Sequence, residues 1–189
     1  MPQHGDSASL SALDGLIASD RAPTNARPDL LTKDDIWALL QEVKDPEVPA
    51  ISVVELGIIR AVHWDGKELT VDVTPTYSGC PATELIEELI VEALHDAGVR
   101  NPTINQVLTP AWTTDWITTE GKEKLRAFGI APPETSSGKM SLLGESAVIA
   151  CPHCGSNDTE RVSEFGSTAC KALYRCKECL EPFDYFKCI

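Results

Sequence analysis

"ELTVDVTPTYSGCPATELIEELIVEALHDAG", residues 68–98, changes its apolar period midway. Leu69, Val71 and Val73 alternate with Thr70 and Asp72, the two-residue rhythm of a strand with one buried face. The helix predicted over about 81–96 has Leu85, Ile86, Leu89, Ile90, Ala93 and Leu94 on one side. Glu84, Glu87, Glu88 and Glu92 keep its other side wet, and Gly98 ends it. Upstream, Asp65-Gly66 supplies the turn of a hairpin begun by "IIRAVHW". Downstream come a third strand in "TINQVLTP", an aromatic loop in "AWTTDWIT" and a short helix in "TEGKEKLRAFG". Before the hairpin, "LTKDDIWALLQEV" reads as a helix with Thr32 as N-cap and Asp35 at N3. Helices on a small mixed sheet make a two-layer α+β arrangement.

The chain has 189 residues and a formal charge of −13, of which −9 falls in residues 30–130. Such a field repels phosphate backbones, so the middle segment is not expected to bind nucleic acid. No stretch reaches the roughly 18 apolar residues of a membrane span. The start "MPQHGDSASLSALDG" lacks the basic region and apolar run of a secretory signal, and a cytoplasmic protein with no membrane partner is expected. Residues 1–28, rich in Ser, Ala, Pro and Asp, read as a disordered arm.

Six of the seven cysteines lie in the last 39 residues. In a reducing compartment that clustering points to metal before disulfides. Cys151-x2-Cys154 and Cys176-x2-Cys179, with 21 residues between them, form two knuckles able to close a tetrahedral four-sulfur site. Strands at Arg161–Phe165, Ala172–Arg175 and Phe183–Phe186 would frame it, making a zinc ribbon over 148–189. Zinc is favoured; an iron centre of rubredoxin type uses similar ligands and the spacing leaves it open. His153 lies between the first pair but is not needed in a filled shell. Cys170 and Cys188 are left over, and no spacing assigns them. The Pro/Gly/Ser-rich stretch 131–147 reads as a linker separating the ribbon from a domain over 29–130. On that reading, loss of the metal unfolds the ribbon and leaves residues 32–128 folded.

Cys80 has two readings. Before Pro81 at a helix start, it faces unpaired amides and the positive end of the helix dipole, which favour a thiolate. It is equally read as a small buried residue beneath the "TPT" loop.

"DPEVPAISVVELGII", "VTPTYSGCP" and "AWTTDWIT" resemble the MIP18-like (DUF59) family, whose members serve in iron–sulfur cluster assembly, over roughly residues 32–128. With the terminal ribbon, the whole chain resembles the accessory subunits of the multicomponent phenylacetyl-CoA 1,2-epoxidase of phenylacetate catabolism. The resemblance implies a MIP18-like domain followed by a zinc-ribbon module, and a maturation or accessory role for an enzyme with a di-iron oxygenase and an iron–sulfur reductase. Those components, and a second copy of the chain, are the implied partners; Zn2+ and a transient iron–sulfur cluster or iron are the implied cofactors. A non-catalytic scaffold holding the components through the ribbon is the alternative. The chain lacks the two Glu-x-x-His motifs of a di-iron bundle and any glycine-rich nucleotide fingerprint, so it is neither enzyme component itself. Carried over, the acidic-proline signature falls on Asp45, Pro46, Glu47 and Pro49, and the strand-entry signature on Glu55, Leu56, Gly57 and Ile58. The cysteine loop falls on Thr74, Thr76, Gly79, Cys80 and Pro81, and "WTTDW" supplies Trp112, Asp115 and Trp116 as an interface candidate. One cysteine offers too few ligands for a cluster, so Cys80 would work across a dimer or with a partner's ligands.

Overall fold

The computed structural model describes residues 31–77, 79–133 and 148–187. The arm, most of the expected linker and Cys188 lie outside them.

Helix α1, Lys33–Leu40, starts at Thr32 with a complete capping box: Asp35 N donates to Thr32 Oγ1 at 3.2 Å, and Thr32 N to Asp35 Oδ2 at 2.8 Å. Strands β1 (Ile59–Asp65) and β2 (Glu68–Val73) form the antiparallel hairpin. Helix α2, Ala82–Asp96, crosses over to β3, Thr103–Gln106, which pairs parallel with β2. The resulting sheet has the order β1-β2-β3. Ile36 and Leu40 of α1, Leu69, Val71 and Val73 of β2, and Ile86, Ile90 and Leu94 of α2 are buried in one core. The apolar stripe of α2 is narrower than its sequence suggested: Leu85 is 46% exposed. The doubly proline-broken segment before β1 is ordered, and buries Val48, Ile51, Val53 and Leu56 in the same core.

After β3, a 3-10 turn at Thr114–Trp116 leads to α3, Thr119–Ala127, capped by Thr118. Gly57 explains why this turn fits. Its φ is +75°, and a Cβ there would sit 2.7 Å from Trp116 Cβ and Trp116 O. Only glycine combines that backbone with so close an approach.

The second sheet has the order β4-β7-β6-β5. Strands β5 (Thr159–Ser163), β6 (Lys171–Cys176) and β7 (Pro182–Phe186) are the ribbon's antiparallel set. Strand β4, Ile130–Ala131, leaves α3 and pairs parallel with β7. The two parts therefore do not stand apart as expected. Phe186 and Cys170 are buried in the first core, and the rings of Phe186 and Trp112 lie 6.2 Å apart. Lys171, only 4% exposed, donates from Nζ to the Glu47 carbonyl at 3.4 Å. A linker's composition describes the linker alone; here the strands beyond it return to pack on the first core.

Candidate functional site

Cys151 and Cys154 come from the turn before β5, Cys176 ends β6, and Cys179 lies in the turn joining β6 to β7. Their four sulfurs lie within 4.8 Å of one another. Cys151 Sγ is 3.8 Å from Cys179 Sγ, and Cys154 Sγ is 3.6 Å from Cys176 Sγ. A tetrahedron of metal–sulfur bonds of about 2.3 Å has edges of roughly 3.8 Å, so the donor set fits one ion. These separations are far beyond the ~2.05 Å of a disulfide.

Each knuckle turns through a left-handed residue just after its second cysteine: Gly155 at φ 76° and Leu180 at φ 66°. In the second knuckle Cys179 N donates to Cys176 Sγ at 3.5 Å. The amides of Cys179 and Glu178 outweigh burial and hold the Cys176 thiol down to about 7. Four thiolates this close repel one another strongly, and a divalent cation relieves that repulsion. His153 is exposed and lies against Gly129, outside the donor set.

Cys80 is half-buried beside a second feature. Asp45, Glu47, Thr74, Thr76, Cys80 and Cys170 line one cavity of about 10 Å3, with Leu56, Ile58 and Phe186 as its apolar walls. Asp45 Oδ1 accepts from the amides of Glu47 and Val48, both at 2.8 Å. Asp45 thus shapes the loop that carries Glu47, and burial pushes its carboxyl above the usual range despite those bonds. Burial, followed by the charge of Cys80 and a hydrogen bond to its side chain, pushes the Tyr77 hydroxyl up to about 12. Gly79 takes φ 82° with open space on its side-chain face.

The helix start differs from its sequence reading in one respect. α2 begins at Ala82 with Pro81 as N-cap, and the Thr83 amide donates to the Cys80 carbonyl at 3.2 Å. The backbone of Cys80, rather than its sulfur, takes that free amide.

The tryptophans divide. Trp112 is 5% exposed, donates from Nε1 to the Leu56 carbonyl at 3.0 Å and packs on Phe186. Its ring is spent inside the molecule and is closed to an outside partner. Trp116 is half-buried, with the Arg60 guanidinium 3.4 Å above its ring, and Asp115 is exposed. One Glu-x-x-His spacing does occur, Glu92 to His95, but both residues are exposed on the outer side of α2. Cys170, which the sequence left unassigned, lines the same cavity as Cys80. Nothing in its spacing marks it, since the strand that follows it decides where its thiol goes.

Residues 33–101 match the family described as "Iron-sulfur cluster assembly protein", and residues 135–187 match the "PaaD zinc beta ribbon domain". A protein of Escherichia coli (strain K12) named as a component of 1,2-phenylacetyl-CoA epoxidase is 50% identical over 155 residues, covering 82% of this chain and 92% of that one. The Fe-S protein maturation auxiliary factor YitW of Bacillus subtilis (strain 168) is 34% identical, over 44% of this chain and 82% of its own. Among solved structures, a DUF59 domain from Bacillus anthracis is 26% identical with a TM-score of 0.46, over 49% of this chain and 90% of that one. No described helix is long and apolar enough to cross a membrane. From its assembly domain to its four-cysteine ribbon, this chain belongs to the PaaD family of phenylacetyl-CoA epoxidase components.

Proposed function

We propose that this protein is a maturation factor for a multicomponent phenylacetyl-CoA 1,2-epoxidase, helping to assemble or insert an iron–sulfur or iron centre in one of its components. The observation that carries the reading is the position of Cys80. It opens on a cavity lined by Asp45, Glu47 and Thr76, in a region that matches an iron–sulfur cluster assembly family. A thiol in that position can ligate iron as cargo and release it to ligands on a recipient. The ribbon's ion is zinc in this reading. Four sulfurs on tetrahedral edges suit it, and a structural role asks no redox change of the metal.

The deciding experiment purifies the epoxidase components from cells lacking this protein and measures iron and acid-labile sulfide. A shortfall in the reductase alone points to an iron–sulfur cluster as the product, and one in the oxygenase alone to a di-iron centre. Fully loaded, active components would reject maturation. The scaffold reading would then take its place. It draws on Val162, Phe165 and Leu180, which expose 57%, 65% and 68% of their surface on the ribbon.

A further inference from the structure

The cavity beside Cys80 is walled from two parts of the chain. Asp45, Glu47, Thr74, Thr76 and Cys80 line it from the first domain, and Cys170 and Phe186 line it from the ribbon. Those two ribbon residues share one end of the sheet. Cys170 immediately precedes β6 and Phe186 ends β7, with Lys171 paired to Phe186 and Lys187 N donating to the Cys170 carbonyl at 3.1 Å. The other end of β6 is Cys176, a member of the four-sulfur set. At about 3.4 Å per residue, Lys171 and Cys176 are separated by roughly 17 Å of strand. The ribbon therefore has a metal end and a cavity end.

The cavity end is seated by one large apolar side chain and a few weak polar ties. Phe186 is 2% exposed, packs in the first core and sets its ring 6.2 Å from that of Trp112. Cys170 Sγ donates toward Glu47 Oε2 at 3.7 Å, and Lys171 Nζ donates to the Glu47 carbonyl at 3.4 Å. The carboxylate nearest to Lys171 is Asp184 of its own sheet, 4.0 Å away. An ammonium has three protons to place, and one buried with so few close partners offsets part of what Phe186 gains. Strand β4 adds two residue pairs, Ile130 with Asp184 and Ala131 with Tyr185. Such a contact can part while the ribbon keeps its own small core.

We propose that the ribbon is a lid on the Cys80 cavity, seated by Phe186, which opens as one piece with its four-sulfur site intact. Shut, it supplies the wall formed by Cys170 and Phe186; open, it uncovers Cys80 and releases Glu47 from its ties to Cys170 and Lys171. That the opening admits a recipient's ligands to Cys80 rests on the maturation reading, whereas the lid rests on the geometry of the ribbon, and the two fail separately.

The test treats the full chain, its ribbon loaded with zinc, with a bulky maleimide. Peptide mass mapping follows each cysteine while a chromogenic chelator reports any zinc released. In wild type, Cys80 and Cys170 are expected to react far more slowly than in the urea-unfolded chain, with Cys151, Cys154, Cys176 and Cys179 unmodified. Phe186→Ala should speed Cys80 and Cys170 by one common factor of roughly a hundredfold, the scale of a lost buried aromatic side chain, with zinc retained. If that variant does not fold, wild type still decides, because a lid lets Cys80 react slowly without zinc loss. Cys80 reacting as fast in the folded chain as in urea would show that nothing covers it. Labelling of Cys80 that only keeps pace with zinc loss would show unfolding in place of a lid, and either result overturns the proposal. A working lid, with epoxidase components fully loaded in cells lacking the protein, would keep the lid and remove its role in maturation.

Discussion

The two sheets are stabilised by different means. The β1-β2-β3 sheet rests on a mostly aliphatic core supplied by α1, α2, the loop before β1 and the segment from Trp112 through α3 to Ile130. The ribbon sheet has a core of its own of seven buried residues, two of them cysteines of the four-sulfur site. A module with so few apolar side chains gains little from burial, and a metal supplies what is missing. The ribbon then lends Phe186 and Cys170 to the larger core. Its metal therefore supports more of the molecule than the strands that surround it.

Metal removal tests that comparison most severely. Chelation, or Cys176→Ser, is expected to unfold the ribbon, since structural zinc contributes on the order of 10 kcal/mol to folding. The first sheet should remain folded but melt at a lower temperature, because Phe186 leaves its core. Metal analysis, thermal unfolding and heteronuclear spectra read this together. An unchanged melting transition for residues 31–127 would mean that the two sheets only touch.

Phe186→Ala sharpens the same point without disturbing a ligand. A fully buried phenylalanine truncated to alanine costs about 3–5 kcal/mol. Denaturant unfolding followed by tryptophan fluorescence and by metal release should shift in both signals. A shift in metal release alone would break the idea of a shared core.

Two carboxylates of the loop before β1 respond to pH with opposite sign, and neither belongs to the ribbon. Burial works to raise the Glu55 carboxyl, but the Lys124 ammonium and the Ser52 amide and hydroxyl outweigh it and hold it low. Its contribution is present above the unfolded glutamate value of about 4.3 and is lost as pH falls through the lower folded value. Glu55→Gln should lower stability at neutral pH by on the order of 1–3 kcal/mol and flatten the acid limb. Asp45, raised by burial, has the reverse sign: stability falls as pH rises from about 3.9 through its folded value. Asp45→Asn keeps an oxygen for both amides, so it should gain stability at neutral pH and match wild type in acid. Paired urea titrations at several pH values check both, and parallel curves for the two variants would contradict the assignment.

The smallest expected effect compares the knuckles. Gly155 takes the left-handed conformation freely, whereas Leu180 adopts it with its side chain 68% exposed and little packing to offset the strain. Leu180→Gly should stabilise the ribbon by about 0.5–1 kcal/mol, the conformational relief less the entropy of glycine. Slower metal release under competing chelator would register it; faster release would show that the leucine makes contacts worth more than the strain.

The elements set by neighbouring residues were legible before any fold was known. The capping box at Thr32 and Asp35 needs only a helix start and two side chains three positions apart. The hairpin follows from Asp65-Gly66 and the alternation after it. The ribbon strands fell within a few residues of where their spacing placed them, because two knuckles constrain the chain between them. Leu85 was misplaced because periodicity gives the direction of a stripe but not its width, which the neighbouring elements decide.

By itself, then, the sequence determined the α+β first domain, the two cysteine knuckles and the thiol at the mouth of α2. Each depends on periodicity or spacing within a few turns of chain. Only the tertiary structure decided that Phe186 closes onto Trp112, that β4 joins the ribbon sheet, and that Cys170 leaves the knot to line the cavity of Cys80. Those contacts join residues from about 54 to 90 positions apart. Their partners are chosen by which apolar surfaces remain uncovered once the local elements have formed, and local pattern does not encode that choice.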